Sequence, residues 1–266
     1  MTLWLLSYVA LGLASGFIAG LFGVGGGLTI VPILLMLFQA QGFPEGQIMH
    51  LALGTAMATI VVTSISSMRA HDRQGGVRWD VFRGMAPGLV AGTLFGSLFA
   101  SRVPTEVMAV VFTLIVYWAS IQMLLDIKPK PTRQLPGNGG LLGVGGLIGG
   151  VSSLVAAGGG FLSVPFMVLC NVNIRQAVGT SAALGLPIAA AGVIGYIVGG
   201  WGLADLPGPH LGFVYLPAFI GVVVSTIFMA PVGARVAHRL PVKQLKRAFG
   251  LMLALLASKM LWNLLA

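Results

Sequence analysis

The sequence predicts an all-α polytopic membrane protein, an inverted repeat of two five-segment halves with glycine-interrupted hairpins. Of its 266 residues, 57% are hydrophobic and only 8% are charged, whereas a soluble domain carries about 25% charged residues. Apolar stretches recur at about the 20-residue length that spans a bilayer. Because backbone groups in lipid must be paired internally, and no barrel-like alternation is present, we predict that these stretches are helices.

The charge balance fits the same class of protein. There are 15 Lys and Arg residues against 6 Asp and Glu residues, and in a membrane protein such an excess marks cytoplasmic loops. We therefore expect a lipid bilayer rather than a nucleic acid as the partner of the basic residues. The single cysteine, Cys170, excludes an intrachain disulfide. Since the N-terminus lacks a basic region before its first apolar run, no cleaved signal peptide is predicted.

Ten apolar segments are predicted in chain order. The first half contains segments at 3–22, 28–40, 50–69, 82–101 and 105–125. The second half contains segments at 141–157, 161–171, 176–199, 211–232 and 243–264. Prolines and glycines, which stop helices, fill the stretch between the halves. We thus predict a first transmembrane repeat at 1–126, a cytoplasmic linker at 127–140 and a second repeat at 141–266.

Three matched blocks, in the same order in each half, indicate an internal duplication. The pairs are Leu21–Pro32 with Leu154–Pro165, Leu53–Ala58 with Val178–Ala183, and Gly96–Pro104 with Gly233–Pro241. The first pair carries three consecutive glycines followed four residues later by Val-Pro. The order of the blocks makes a chance match improbable, so each half is expected to repeat the same arrangement of segments.

Basic residues predict that the two halves have opposite orientations. Arg69, Arg73, Arg78 and Arg83 cluster between the third and fourth segments, whereas the equivalent stretch 199–210 contains no Lys or Arg. Placing this cluster in the cytoplasm puts 13 of the 15 basic residues there and both termini outside. An odd number of crossings per half then gives an inverted repeat, an architecture common in secondary transporters. A parallel duplication with incidental charge asymmetry is the alternative.

The glycine triplets predict two hairpin tips inside or near the membrane. Segment 28–40 would be only about 20 Å long as a helix, which is short for a hydrocarbon core of about 30 Å. Exposed N–H groups of such a tip form an anion nest, and the following helix adds its positive end. Close helix packing is the alternative role for these glycines. The candidate substrate-binding residues are Gly25, Gly26, Gly27, Thr29, Thr55, Gly158, Gly159, Gly160, Ser163, Thr180 and Ser181.

No cofactor, metal site or catalytic cluster is predicted. All six acidic residues lie at segment ends or in loops, so no mid-membrane carboxylate suggests a proton or sodium relay. The four histidines are dispersed without a spacing that suggests metal ligation. A membrane-embedded enzyme would require a reactive cluster that the sequence does not contain.

The paired Gly-Gly-Gly-x-x-x-Val-Pro motifs, each followed by an apolar Gly-Thr helix, resemble the TauE/SafE sulfite exporter family. The segment His71–Trp79 also resembles that family's loop between the third and fourth segments. The resemblance implies a secondary transporter of the bacterial inner membrane that exports a small sulfur-containing oxyanion, sulfite or an organosulfonate, by alternating access. An ion-coupled importer or an anion channel for the same anions is the alternative, and the formation of a homo-oligomer stays open.

Overall fold

The computed structural model describes residues 2–22, 26–125, 132–203, 206–237 and 242–265, which form ten helices and one short hairpin. The helices of the first half are α1 Thr2–Phe22, α2 Gly27–Ala40, α3 Glu45–Asp72, α4 Trp79–Ala100 and α5 Thr105–Leu124. Those of the second half are α6 Asn138–Val155, α7 Gly160–Leu169, α8 Ile174–Gly199, α9 Leu216–Ala237 and α10 Val242–Leu265.

The predicted all-α polytopic class is confirmed. Within the described ranges, five helices (α3, α4, α5, α6 and α8) are long and apolar enough to cross a membrane. The helices α2 and α7, which follow the glycine triplets, have only 14 and 10 residues. Glycine and proline at the predicted segment ends explain why the observed boundaries lie close to those expected from the sequence.

Two predicted segments differ from the helices by five residues: α3 begins at Glu45 rather than at 50, and α9 runs Leu216–Ala237 rather than 211–232. The segment 211–232 does not begin as a helix, because strands β1 His210–Leu211 and β2 Val214–Tyr215 form an antiparallel hairpin before α9. Gly212 between the strands has a φ of 53°, a left-handed conformation that glycine adopts without strain. The backbone N–H of Phe213 donates to the carbonyl oxygen of Tyr196 at 3.2 Å, so the hairpin is attached to the end of α8.

The closest helix packing in the molecule joins helices of opposite halves. The most extensive contacts join α1 to α9 and α4 to α6, so the first helix of each half packs along the fourth helix of the other. Small residues allow the close approach: a Cβ atom added to Gly12 would overlap the hydroxyl of Ser225, and one added to Gly92 would overlap the carbonyl oxygen of Gly146. Each half therefore completes its helix packing with a helix of the other half.

Helices α3 and α8 cross in antiparallel directions at the centre of the molecule. A Cβ atom on Gly192 would lie 3.0 Å from Sδ of Met57, and one on Gly185 would lie 2.9 Å from Oγ of Ser64. Moving forward along α3 from Met57 to Ser64 thus corresponds to moving backward along α8. The third helix of one half is therefore inverted relative to the third helix of the other.

The division into two repeats and a linker stays a prediction. Helix α5 ends at Leu124 and α6 begins at Asn138, close to the predicted limits at 126 and 141. Residues 126–131 of the predicted linker lie outside the described part of the chain.

Candidate functional site

The two glycine tips adopt the same backbone conformation. Gly26 precedes α2 with a φ of 74° and ψ of −10°, and Gly159 precedes α7 with a φ of 78° and ψ of −16°. Any residue with a Cβ atom is strained in this left-handed region, which explains why glycine occupies the middle position of each triplet. Gly25, the first glycine of the first triplet, lies outside the described residues.

The structure brings the two tips into contact. A Cβ atom added to Gly27 would overlap the carbonyl oxygen of Ala156, the residue that follows α6. Ala156 itself has a φ of 46°, an uncommon conformation for a residue other than glycine. The start of α2 and the end of α6, which belong to opposite halves, therefore meet backbone to backbone.

The second tip presents a row of unpaired amides. Gly158, Gly159, Gly160 and Phe161 are buried, and no residue that the structure describes accepts a hydrogen bond from any of their backbone N–H groups. Buried N–H groups without a partner are rare in folded proteins. At the first tip, the buried N–H groups of Gly26, Gly27 and Leu28 likewise have no acceptor among the described residues. Successive free N–H groups at a helix N-terminus are donors of the kind that bind anions.

Two of the predicted hydroxyls in the second half also come together. The Ser163 hydroxyl donates to the carbonyl oxygen of Gly159 at 2.8 Å, and its oxygen lies 2.9 Å from Oγ of Ser181. Both side chains are buried, at 0% and 1% exposure. The second tip therefore has a hydroxyl pair bonded to its backbone. In the first half, Thr29 donates to the carbonyl oxygen of Gly26 at 3.0 Å.

Thr55 and Thr180 hold loops of the opposite half. Oγ1 of Thr180 accepts the backbone N–H of Arg78 at 2.8 Å, and Oγ1 of Thr55 accepts the backbone N–H of Tyr215 at 3.0 Å. Within the described residues, these two hydroxyls thus bind loops rather than the tips. The glycines that precede these threonines allow the loops to approach closely. A Cβ atom on Gly54, for example, would overlap the carbonyl oxygen of Phe213.

The Arg78 loop and the hairpin occupy equivalent positions at opposite ends of the molecule. We define the arginine end by residues 75–78, which contact Gly179 and Thr180 of α8. We define the hairpin end by residues 210–215, which contact Gly54 and Thr55 of α3. Gly75 and Gly212 both have positive φ, at 64° and 53°. Arg78 and Tyr215 therefore hold corresponding places in the two halves.

The hairpin end is closed by aromatic rings. The ring of Tyr215 lies 5.1 Å from that of Phe43, 5.6 Å from that of Phe38 and 6.3 Å from that of Tyr8. Ala191 and Gly195, in the second half of α8, are also buried. A Cβ atom on Gly195 would overlap the Ser97 hydroxyl of α4, so α8 and α4 are in tight contact there.

The arginine end is more open. Ser66 and Ala70 of α3 correspond to Ala191 and Gly195 of α8, when each is counted from the paired residues Thr55 and Thr180. Ser66 and Ala70 are nevertheless exposed. Arg78 pairs with Asp80 at the surface, where their side chains are 35% and 62% exposed. The two ends of the molecule thus differ in burial, although their sequences are related.

A buried serine near the second tip, Ser64, is not among the residues predicted from the sequence. A Cβ atom added to Gly185 would lie 2.9 Å from Oγ of Ser64 and 3.1 Å from the carbonyl oxygen of Gly158. Ser64 is 4% exposed. Four of the five residues from 63 to 67 carry a hydroxyl group, the exception being Ile65. No motif in the sequence distinguishes Ser64 from the other three.

Comparison with known proteins identifies the family of the chain. The family model described as "Sulfite exporter TauE/SafE" matches residues 8–260. A probable membrane transporter protein of Haemophilus influenzae is 38% identical over 262 residues, which cover 98% of this chain and 99% of the relative. The probable membrane transporter protein YdhB of Bacillus subtilis is 27% identical over 244 residues, covering 88% of this chain and 90% of that protein.

No solved structure matches the chain. The family match extends across both glycine tips, both Gly-Thr helices and the loops that they hold. The chain is therefore a multi-pass membrane transporter that belongs to the TauE/SafE sulfite exporter family.

Proposed function

We propose that this transporter exports a small sulfur-containing oxyanion, sulfite or an organosulfonate, across the bacterial inner membrane. The observation that carries the proposal is the row of four buried, unpaired amides from Gly158 to Phe161. Sulfite and the sulfonate group both present several oxygen acceptors on one sulfur atom. Such a group can receive several backbone N–H donors at once, and the positive end of α7 favours its negative charge.

A cradle of backbone amides suits a transported anion. Binding must be strong enough for capture and weak enough for release, and neutral donors hold an anion less tightly than a buried Lys or Arg would. Glycine also allows the anion to approach the backbone closely, because no Cβ atom stands in the way. The glycine triplet therefore meets both requirements of the proposed cargo.

The difference between the two ends supports alternating access. If the arginine end faces the cytoplasm, as the distribution of basic residues predicts, both termini are extracytoplasmic and the structure is open toward the inside. The closed hairpin end then separates the tips from the outside. Rocking of one half against the other would exchange the states of the two ends, as in other inverted-repeat transporters.

An inside-negative membrane potential favours anion exit by about 2.3 kcal/mol per charge for each 100 mV. Export of a sulfur oxyanion can therefore proceed without a coupling ion. An importer of the same anions would have to work against the potential and would therefore need a coupling ion.

The experiment is sulfite flux in proteoliposomes under imposed potentials of each sign. We expect saturable sulfite flux, without added sodium or a proton gradient, toward the side that the potential favours, and exchange of internal against external sulfite. Flux that requires a sodium or proton gradient would instead indicate an importer. Non-saturable flux without counterflow would indicate a channel, and the absence of flux for sulfite and for sulfonates such as taurine would refute the proposed substrate class.

A further inference from the structure

A groove between α4 and α6 opens on the surface beside the arginine end. Its volume is about 400 Å³, within the range of about 300–1,000 Å³ that is usual for small-molecule sites. Both helices are long and apolar enough to cross a membrane, and both begin at this groove. It is therefore at the level where a spanning helix meets the lipid headgroups. The residues that line it are Asp80, Arg83, Gly84, Pro87, Asn138 and Leu142.

The groove is polar near the helix ends and apolar toward the middle of the helices. Arg83 and Asn138 lie in the first two turns, and Pro87 and Leu142 follow about one turn further along. The side chain of Leu142 is 52% exposed. The groove ends where the two backbones meet, since a Cβ atom on Gly88 would overlap the carbonyl oxygen of Leu142. This sequence of polar and apolar lining matches a phospholipid, whose charged head is followed by acyl chains.

Arg83 gives the groove a positive charge that no neighbouring carboxylate balances. The acidic residue of the lining, Asp80, is paired with Arg78, whose Nε donates to Oδ1 of Asp80 at 2.9 Å. Across the described ranges, no acceptor receives a hydrogen bond from the side chain of Arg83 or Asn138. A guanidinium group binds phosphate oxygens through two parallel N–H donors. The groove thus offers free donors and a net positive charge to a phosphate group.

Trp79, one turn before Arg83, independently marks the depth of the groove. Its indole is 38% exposed, and Nε1 donates to Oδ1 of Asp72 at 2.9 Å while the ring packs edge-on against Phe82. Tryptophan is enriched where a membrane meets water, because its ring is apolar and its N–H is polar. Arg83 is therefore placed at headgroup depth rather than in the hydrocarbon or in free solution.

The helix pair α1 and α9 provides a related surface in the other copy. In the matched blocks, α1 corresponds to α6 and α9 corresponds to α4. The contacts agree with this correspondence: a Cβ atom on Gly221 would lie 2.8 Å from Cβ of Tyr8, and one on the equivalent Gly84 would lie 2.7 Å from Cδ1 of the equivalent Leu141. The two helix pairs are thus packed in the same way.

This related surface lacks the polar residues of the groove. Ile220 stands in the place of Arg83, and Leu5 stands in the place of Asn138. Both side chains are exposed, at 54% and 48%. The shared helix packing therefore does not require an arginine and an asparagine at these places, and the phosphate-binding character belongs to one copy.

We propose that the groove between α4 and α6 binds one anionic phospholipid, with its phosphate on Arg83 and Asn138 and an acyl chain along Pro87 and Leu142. The inference does not depend on the identity of the transported anion. Since α4 and α6 belong to opposite halves, the bound lipid joins the two halves at the arginine end, and its site depends on their relative position.

The test is a lipid titration of the detergent-purified protein, followed by native mass spectrometry. We expect the wild type to bind one phosphatidylglycerol at least about tenfold more tightly than phosphatidylcholine of the same chain length. Arg83→Gln removes a charge-assisted contact and should weaken phosphatidylglycerol binding about tenfold. Asn138→Ala removes a neutral donor from the same groove and should weaken it about threefold.

Arg102→Gln is the matched control, because it makes the same charge change at an exposed arginine beyond the opposite end of α4. Its phosphatidylglycerol binding should stay within about twofold of the wild type. Thermal unfolding without added lipid, which should be equal in the wild type and the variants, verifies that they are folded.

Three results would overturn the inference. The first is equal binding of phosphatidylglycerol and phosphatidylcholine by the wild type. The second is wild-type affinity for phosphatidylglycerol in both Arg83→Gln and Asn138→Ala, or an equal loss in Arg102→Gln, which would indicate attraction by overall charge. The third is binding of glycerol phosphate as strong as that of phosphatidylglycerol, which would show a site for free phosphate without a place for the acyl chain.

Discussion

The two glycine tips have nearly identical backbones and different surroundings. Both place a glycine of φ 74° or 78° before a short helix. The first tip packs against Ile60 and the second against Ile188, but only the second adjoins a pair of bonded hydroxyls, those of Ser163 and Ser181. The comparison teaches that a duplicated backbone motif can keep its geometry in both copies while the residues that pack on it assign them different chemistry.

The largest expected effect distinguishes the two tips directly. A Cβ atom on Gly159 would lie 2.5 Å from Cδ1 of Ile188, while the nearest atom to a Cβ on Gly26 is 3.3 Å away. Both alanine variants strain a left-handed backbone by about 1–2 kcal/mol, but only Gly159→Ala also forces a packed neighbour, Ile188, to shift beside the amides of the tip. We expect Gly159→Ala to reduce sulfite flux about a hundredfold, and Gly26→Ala to retain most of it.

Initial rates of sulfite flux, normalised to inserted protein, measure this difference. Membrane insertion and a monodisperse profile in detergent are the controls for folding. Equal flux in the two variants would break the comparison between the tips, because it would show that the first tip contributes as much as the second.

A second comparison concerns Tyr215 and Arg78, which hold equivalent places at the two ends. Tyr215→Ala removes a ring that contacts three others, so we expect a loss of about 2–3 kcal/mol in the free energy of unfolding. Arg78→Ala removes a surface ion pair with Asp80, and such pairs contribute about 0–1 kcal/mol. Thermal unfolding in detergent measures both, and equal losses would argue against a tightly packed hairpin end.

The smallest expected effect concerns access to the two ends. Ala70 is exposed, whereas its counterpart in the second half, Gly195, is buried. Ala191, one helical turn before Gly195, is 4% exposed. In a Cys170→Ala background, we expect a thiol at Ala70→Cys to react with a maleimide at least about tenfold faster than one at Ala191→Cys. Similar rates in detergent-purified protein would show that the hairpin end opens as readily as the arginine end.

Most of the fold could be predicted, and the failures have physical reasons. Long apolar runs bounded by glycine and proline marked the helices, because lipid burial and helix breaking depend on local composition. The hairpin at 210–215 was missed because Phe213, Val214 and Tyr215 are as apolar as the helix that follows. Its strands form because the hairpin backbone bonds to Tyr196 and Thr55, which lie far away in the sequence.

The candidate site was predicted in part. The glycines were evident from their repetition and from the backbone freedom that only glycine provides. The interpretation of Thr55 and Thr180 did not anticipate their hydrogen bonds to the loops of the opposite half. Ser64 could not be singled out, because its neighbours Thr63 and Ser66 offer the same chemistry, and only the residue facing it on α8 decides which hydroxyl lies beside the tip.

The sequence by itself determined the membrane class, the ten segments, the duplication and the positions of the glycine breaks. These properties follow from hydrophobicity and backbone freedom, which act over a few neighbouring residues. The tertiary structure alone decided which amides and hydroxyls stay unpaired and which end is closed. Those outcomes depend on contacts between residues 102 and 160 positions apart, Arg78 with Thr180 and Tyr215 with Thr55, which exist only where the two halves pack against each other.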